Sequence, residues 1–222
     1  MPTLRFYGHA CFGLETTTLN LLIDPWLSGN PELGAIPSGL RPPTHILVTH
    51  NHRDHVGDAI ELSKTYGAPI ITTPSAARHY KGEGATTAPL HLGGRLPLDG
   101  ASVKCVNAIH DSPLGIGETW RVELGAPCGF VVDIDGKSVY HAGDTALFGD
   151  MALFAPVDVA LLPIDGRMVM EPTDAVRAAQ LLQADTVVPM HWRDQDPHAF
   201  VDLLTDAGIT GHVMKNGETR EL

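Results

Sequence analysis

The sequence predicts an α/β fold in which two β-sheets pack face to face and helices cover their outer faces. Short apolar segments open the chain and return in its middle, a pattern that is typical of β-strands. Each series is followed by strands that alternate with helical patterns, which is the order that α/β layering produces. No linker-like or low-complexity stretch divides the 222 residues, so we predict a single domain over residues 1–222.

The first half of the chain is predicted to contain strands followed by strand–helix repeats. Strands are predicted at residues 4–7, 11–16, 19–23, 45–48 and 69–72. Helical spacing of apolar residues predicts helices at 56–66 and at about 75–80. Residues 25–43 are rich in Gly and Pro and have no periodicity. A loop of that length is either functional, for instance a lid, or a plain surface excursion.

The second half of the chain repeats this order. Strands are predicted at residues 90–92, 102–107, 120–124, 128–134 and 138–141. Between the last two, Asp135-Gly136 predicts a two-residue hairpin turn. A short helix near 146–154, a strand at 159–162, a helix at about 173–182, a strand at 186–189 and a helix at 199–207 complete the pattern. Thr173, after Pro172, is suited to cap its helix.

Charge and cysteine content disfavour several classes of function. The formal net charge of −11 argues against a broad nucleic-acid surface, because phosphate contacts need clustered Lys and Arg. Cys11, Cys105 and Cys128 lack Cys-x-x-Cys spacing, so we predict buried apolar side chains rather than disulfides or a thiolate zinc site. The chain opens without a charged-then-apolar leader, and no apolar stretch approaches the roughly 18 residues that span a membrane. We therefore expect a cytoplasmic protein without a membrane span.

Residues 49–55, Thr-His-Asn-His-Arg-Asp-His, place three imidazoles and a carboxylate where an apolar strand ends and a helix begins. Side chains alternate along an extended stretch, so His50 and His52 point the same way. The chain then turns, which lets Asp54 and His55 aim at a second point nearby. Zinc and similar ions prefer these ligand types, and two-metal sites hold their cations about 3.5–4 Å apart. The alternative, a polar loop with surface histidines, does not explain why ligand type, spacing and position agree.

Further polar residues follow predicted strands in the same way, namely His110, His141, Asp144 and His191. Active sites in layered α/β folds gather at strand ends because the loops converge there. Each of these residues alone is more often structural than a ligand. Together with the segment 49–55 they supply the ligands that a dinuclear site requires: His50, His52, Asp54, His55, His110, Asp144 and His191.

Several motifs distributed along nearly the whole chain resemble one known superfamily. They are GHACF (8–12), LIDP (22–25), THNHRDHVG (49–57), PCGF (127–130), YHAGDT (140–145), LLPI (161–164) and PMHW (189–192). With these motifs the chain resembles the metallo-β-lactamase superfamily, and more narrowly its small bacterial metal-dependent hydrolases related to ascorbate-6-phosphate lactonase. The resemblance implies a four-layer αββα sandwich, in which two mixed sheets pack together with helices on the outer faces.

The resemblance also implies how the ligands divide between two metals. His50, His52 and His110 are expected on one metal and Asp54, His55 and His191 on the other, with Asp144 bridging them. Zinc is the first expectation, and the same ligands accept manganese or iron. Asp24, His9 and His141 are candidates for supporting the ligands rather than for binding metal. For Asp24 the alternative is a turn residue before Pro25.

Two departures from the family pattern and one ambiguity bear on the substrate. Arg53 stands where small residues are commoner in this branch, so it is expected to add a cation beside the metals. Residues 165–167, Asp-Gly-Arg, stand where the branch tends to be Gly-rich, so the pocket wall is expected to differ. With Asn51 the motif resembles that of the phospholipid-cleaving phosphodiesterases of the superfamily, so phosphodiesters stay open as a substrate class.

Four side chains are candidates for substrate binding. Arg167 and Arg193 are suited to holding an anionic group, with a solvated surface arginine as the alternative for each. Trp26 and Trp192 are suited to an apolar wall, with packing in the core as the alternative. The remaining histidines are expected to be structural or on the surface: His45, His79, His91, His198 and His212.

The favoured function is a metal-dependent hydrolase in which a hydroxide that bridges two metals attacks a small ester, lactone or phosphoester. Asp54 and Asp144 are the candidate catalytic residues, because a carboxylate beside two cations stays ionised and can relay a proton. The alternatives are a metal-dependent phosphodiesterase or nuclease, an iron redox protein and a non-catalytic metal-binding sensor. The expected partner is a small substrate, either neutral or anionic, rather than nucleic acid. Whether the protein forms a homo-oligomer is left open.

Overall fold

The computed structural model describes residues 1–33, 40–116 and 120–222, with the backbone alone at 114–116 and 120–122. Two seven-stranded sheets form most of it, and a two-stranded ribbon is added to them. The predicted loop at 25–43 falls partly outside the described residues, so its interpretation as a lid stays a prediction. Among the residues that are described, no helix is both long and apolar enough to cross a membrane.

The N-terminal elements follow the predicted order of strands and then strand–helix repeats. The strands are β1 (Thr3–Phe6), β2 (Phe12–Glu15), β3 (Asn20–Ile23), β4 (His45–Leu47), β5 (Ile70–Thr72) and β6 (Thr87–Pro89). The helices are α1 (Arg53–Val56), α2 (Ala59–Tyr66) and α3 (Pro74–Gly82). Pro74 opens α3 with its fixed φ and without an N–H that the helix would leave unpaired.

The C-terminal elements repeat this order. The strands are β7 (Arg95–Leu98), β8 (Ala101–Asn107), β9 (Pro113–Ile116), β10 (Trp120–Glu123), β11 (Cys128–Ile134), β12 (Lys137–His141), β13 (Val159–Pro163), β14 (Thr186–Met190), β15 (Thr210–Gly211) and β16 (Thr219–Glu221). The helices are a 3₁₀ helix (Gly149–Phe154), α4 (Pro172–Leu181) and α5 (Pro197–Asp206). The predicted hairpin turn is confirmed, since Ile134 pairs with Lys137 across Asp135 and Gly136, whose φ angles are 48° and 79°.

Strand direction places the ends of several strands along one edge of each sheet. The first sheet has the order β16-β1-β2-β3-β4-β5-β6 and the second β15-β14-β13-β12-β11-β8-β7. The strands from β3 to β6 are parallel to one another, as are those from β12 to β15. The carboxyl ends of these parallel strands therefore face the same way, and the loops that leave them meet at a common edge.

The two sheets are joined by a common apolar core. Phe6 and Phe12 of the first sheet and Val103, Phe130 and Val132 of the second are fully buried members of one cluster. Each such side chain contributes about 1.5–3 kcal/mol relative to an exposed position. The three cysteines are buried and unpaired, as predicted.

Helices cover the outer face of each sheet. Ala59 of α2 and Tyr80 of α3 pack with Ile46 in a separate cluster on the first sheet. Ala178 of α4 and Phe200 of α5 join the main core from the side of the second sheet. The predicted αββα sandwich is confirmed. The prediction of a single domain stays a prediction, although both sheets share one core.

Three predicted elements are wrong in detail. The strand predicted at 90–92 lies earlier, at Thr87–Pro89, because pairing with β5 overrides the apolar pattern. The helix predicted at 56–66 is broken at Gly57, whose φ is 43° and whose hydrogen atom faces the carbonyl oxygen of Pro25 too closely for a Cβ. The helix predicted near 146–154 is a 3₁₀ helix at Gly149–Phe154.

Candidate metal centre

The predicted ligands meet at the edge where the parallel strands end. Residues 49–52 leave β4 and lead into α1, while Asp144 follows β12 and His191 follows β14. His110 follows β8, which lies beside β11 in the second sheet. The candidate ligand atoms fall into two groups, and within each group they all lie within 4.8 Å of one another.

The first group contains His50, His52, His110 and Asp144. His50 Nε2 lies 2.9 Å from His52 Nδ1, so the two imidazoles point at the same place, as the alternation in the sequence predicts. His110 Nε2 lies 3.6 Å from Asp144 Oδ2. Burial, together with the neighbouring histidines, holds the pKa of His50 well below its usual range, and a neutral imidazole is the form that binds metal.

The second group contains Asp54, His55, His191 and also His9. His191 Nε2 lies 4.0 Å from Asp54 Oδ2, and the His9 and His191 rings are in contact at 4.1 Å between centroids, tilted by 44°. His9 is predicted to support the ligands rather than to bind metal, and its Nε2 lies 3.2 Å from Asp54 Oδ2. His9 therefore stands beside the three predicted ligands of this group, within reach of the same cation.

Asp144 lies between the two groups. Its Oδ1 is 3.3 Å from His55 Nε2, and its Oδ2 is 3.2 Å from His191 Nε2 and 3.9 Å from His50 Nε2. The side chain is only 3% exposed. Burial alone would raise the pKa of this carboxyl, but His55 and His191 hold it well below its usual range. Asp144 is thus an ionised carboxylate with histidines of both groups around it.

The chemistry of these donors fits two divalent cations. His55 Nε2 and Asp144 Oδ1 are buried and have no hydrogen-bond partner, although unsatisfied buried polar atoms carry a cost of about 1–3 kcal/mol. The two atoms lie 3.3 Å apart, and they belong to different ligand groups. A cation bound there would satisfy them, and imidazole nitrogen with carboxylate oxygen is a donor set that zinc, manganese and iron accept.

Asp24 supports ligands of both groups through hydrogen bonds on the side away from the candidate cations. It is fully buried, and its Oδ2 accepts a hydrogen bond of 2.8 Å from His55 Nδ1 and one of 2.7 Å from Thr49 Oγ1. Thr49 Oγ1 in turn lies 3.0 Å from His50 Nδ1. These contacts leave the Nε2 atoms of His55 and His50 free for metal, which is the arrangement that fixes a ligating imidazole.

Two carboxylates at the centre are not among the predicted site residues. Asp111 Oδ1 lies 3.7 Å from His52 Nε2 and 3.5 Å from His110 Nε2, on a side chain that is 60% exposed. Glu32 accepts a hydrogen bond of 2.5 Å from His9 N, and its Oε1 lies 3.5 Å from His9 Nδ1. Asp111 directly follows the predicted ligand His110 in the sequence, and this position could have identified it as a site residue. Glu32 belongs to a loop without periodicity, which offers no such signal.

Comparison with known proteins decides the family. A family model described as the beta-lactamase superfamily domain matches residues 19–192. A UPF0173 metal-dependent hydrolase of Opitutus terrae is 42% identical over 229 aligned positions and covers 99% of both chains. The chain belongs to this family of the beta-lactamase superfamily. Another member, from Thermococcus kodakarensis, is 40% identical and covers 100% of both chains.

A solved structure agrees with this family and with the fold. Igni18, a novel metallo hydrolase from the archaeon Ignicoccus hospitalis, has a TM-score of 0.88 and 30% identity, covering 100% of this chain and 99% of that one. The predicted superfamily is therefore confirmed. The narrower relationship to ascorbate-6-phosphate lactonase stays a prediction.

Asn51 and His141 hold loops of this family member in place. Asn51 Nδ2 donates to Ser112 Oγ at 2.7 Å, and its Oδ1 accepts a hydrogen bond of 2.6 Å from Tyr80. His141 Nε2 donates to the Ala10 carbonyl at 2.9 Å, while its Nδ1 accepts the N–H of Gly143. Neither side chain belongs to the two ligand groups.

The candidate substrate residues differ in their surroundings. Trp26 is half-buried and meets His9 edge-on at 5.1 Å, whereas Trp192 packs on Phe6 and the main core. These contacts favour core packing, which is the alternative for Trp192, and its role as an apolar wall stays a prediction. Arg53, Arg167 and Arg193 are exposed. The five other histidines lie outside both ligand groups, as expected.

Proposed function

We propose that this protein holds two divalent cations and hydrolyses a small ester, lactone or phosphoester. The observation that carries the proposal is the position of Asp144, a buried carboxylate that lies within 4 Å of histidines in both ligand groups. A single cation would use only one of these groups. Zinc is the first candidate, and manganese or iron suits the same donors.

The proposed ligands divide as the family resemblance implies. His50, His52 and His110 would hold one cation, Asp54, His55 and His191 would hold the other, and Asp144 would serve both. When bound, such cations supply Lewis acidity that polarises a carbonyl or phosphoryl group and makes water acidic enough to react near neutral pH. Two cations also return positive charge to a chain whose formal net charge is −11, which favours an anionic substrate at this point.

Asp54 is placed to take up the proton that water releases. Its side chain is 28% exposed, unlike Asp144. Burial alone would raise its pKa, but the hydrogen bond from His9 and the nearby His55 lower it, so the carboxylate is ionised and can accept. His9 Nε2 lies 3.2 Å from Asp54 Oδ2 and donates to it, which fixes the orientation of this carboxylate.

Exposed groups around the centre suit a small substrate with an anionic group. Arg193 is two residues beyond His191 and its side chain is 49% exposed, while Arg167 and Arg53 are exposed as well. Trp26 offers an apolar surface beside His9. The side-chain amide of Asn51, the residue that leaves phosphodiesters open as substrates, is hydrogen-bonded to Ser112 and Tyr80, so we assign it no substrate contact.

The proposal is tested by a hydrolysis screen with zinc- or manganese-loaded protein. The probes are 4-nitrophenyl acetate, a simple lactone, 4-nitrophenyl phosphate and bis(4-nitrophenyl) phosphate. We expect turnover of at least one probe, with a loss of about 100-fold or more in kcat for Asp54→Asn, the size of effect that proton transfer supplies. Asp202→Asn, an exposed change on α5, serves as the matched control. Equal turnover by Asp54→Asn and wild type would contradict the role given to Asp54, and no turnover by the loaded wild type would contradict the proposed function.

A further inference from the structure

The Nδ1 atom of His191, the ring nitrogen that faces away from Asp144, is buried and has no hydrogen-bond partner. His191 is 1% exposed, and its Nδ1 has no hydrogen-bond partner. Asp165 Oδ2, 3.6 Å away, is also buried without a hydrogen-bond partner. A distance of 3.6 Å is too long for a hydrogen bond, but it is within the range of an ion pair, and both atoms are buried without another hydrogen-bond partner.

Metal binding decides where the proton of His191 must lie. The Nε2 atom of this imidazole faces Asp144 and Asp54, so it is the nitrogen that would bind the cation. A neutral imidazole then carries its proton on Nδ1. A buried N–H donor needs an acceptor, and Asp165 Oδ2 is the carboxylate oxygen that lies opposite it.

Asp165 is held in place by hydrogen bonds to its Oδ1 and to its carbonyl oxygen. Its Oδ1 accepts the backbone N–H of Arg167 at 3.3 Å, and its carbonyl oxygen accepts from Gln195 Nε2 at 3.2 Å. Its Oδ2 lies 3.2 Å from Arg193 Nε. The side chain is 5% exposed, whereas Arg193 is 49% exposed, so the arginine neutralises the carboxylate from the solvent side.

We propose that Asp165 is the positioning residue of His191 and that it performs for this ligand what Asp24 performs for His55. The inference rests on the proposed two-metal function. His191 and Arg193 both have left-handed backbone, with φ of 47° and 46°, a conformation that costs about 1–3 kcal/mol and persists where contacts impose it. Asp165 Oδ2 lies between the side chains of these two residues, 3.6 Å from His191 Nδ1 and 3.2 Å from Arg193 Nε.

The test is a Co²⁺ titration of metal-free protein, followed by calorimetry and by the visible spectrum of the bound ion. We expect Asp165→Asn to weaken one of two Co²⁺ sites by about 10- to 100-fold and to change the spectrum of that ion, with the other site unaltered. Asp174→Asn is the matched control, since this carboxylate on α4 contacts Arg177 and belongs to neither ligand group. Wild-type affinity and spectrum at both sites of Asp165→Asn would overturn the inference.

A second variant keeps the test decisive if Asp165→Asn does not fold. Arg193→Gln leaves the carboxylate of Asp165 in place and removes the guanidinium that competes with His191 for its Oδ2. We therefore expect the affinity of the same Co²⁺ site to stay equal or to become tighter. A weaker site in Arg193→Gln would overturn the inference. Wild-type protein that takes up no Co²⁺ would instead contradict the proposed function, so the two failures are distinguishable.

Discussion

Asp24 accepts a hydrogen bond of 2.8 Å from His55 Nδ1, and both side chains are fully buried. The same carboxylate reaches His50 through the hydroxyl of Thr49. A single buried acid therefore orients one imidazole of each ligand group. Its φ of 45°, unusual for a residue with a side chain, turns the chain at the end of β3 so that the carboxylate lies beneath the centre.

Asp24→Asn should lower the affinity for both metals, whereas Asp165→Asn should lower it for one. The amide can accept fewer hydrogen bonds than the carboxylate, so the imidazoles of His55 and His50 lose their common support. Loss of such support costs about 10- to 100-fold in metal affinity. Zinc competition with a chromophoric chelator measures it, and Asp99→Asn, exposed in the turn before β8, is the control. Weakening of only one metal would contradict the shared role.

Tyr80→Phe should loosen the segment that carries His50 and His52. Tyr80 is fully buried, and its hydroxyl donates to Asn51 Oδ1 at 2.6 Å. Without it a buried acceptor is left unsatisfied, which costs about 1–3 kcal/mol in the free energy of unfolding. Urea denaturation measures this loss. Tyr66→Phe, at a tyrosine that is 46% exposed, should stay within about 0.5 kcal/mol of wild type; equal effects of the two changes would count against the role of Tyr80.

Gly57→Ala should destabilise the protein strongly. A Cβ at Gly57 would lie 2.5 Å from Trp26 Cα and still closer to the carbonyl oxygen of Pro25, both backbone atoms, and the φ of 43° adds strain. We expect a loss of about 3 kcal/mol or more in the free energy of unfolding. Gly67→Ala is the control, because Gly67 also has a positive φ of 71° but has open space around it, and it should cost about 1 kcal/mol. Similar losses in both variants would contradict the steric argument.

His141 should make the metal-free protein less stable in acid. Burial lowers its pKa from the ordinary 6.5, so below about pH 6.5 the unfolded state binds more protons than the folded state. Stability from this residue is therefore complete above pH 6.5 and is lost as the pH falls, by up to about 1.4 kcal/mol per pH unit. His141→Gln does not titrate, so its stability deficit relative to wild type should shrink from pH 7.5 to 5.5 in chelator. A constant deficit across that range would show that His141 does not titrate on unfolding.

Much of the site could be predicted from sequence because its ligands are local signals. Residues 49–55 concentrate four of them in one short segment, and His110, Asp144 and His191 each follow an apolar strand. Parallel strands then bring those ends together, which follows from topology. The arrangement of layers was predictable for the same reason, since alternation of strands and helices sets it.

The parts that sequence reasoning missed depend on contacts between distant segments. His9 contacts the ligand Asp54 across 45 residues of sequence, and Glu32 contacts His9 across 23. The break in the helix at Gly57 depends on the backbone of Pro25, which no helical periodicity can reveal. Asp165 is 26 residues before His191 in the sequence and reaches it only because β13 and β14 are neighbours.

The most direct test of a two-metal centre is the metal content of wild type and Asp144→Asn, measured by elemental mass spectrometry after loading with zinc or manganese. Asp150→Asn, exposed in the 3₁₀ helix that follows the Asp144 loop, is the matched control. We expect about two metals per chain in wild type and in Asp150→Asn, and fewer than one in Asp144→Asn, because the carboxylate between the groups serves both cations. Wild type that remains without metal, or Asp144→Asn that retains two, would contradict this account.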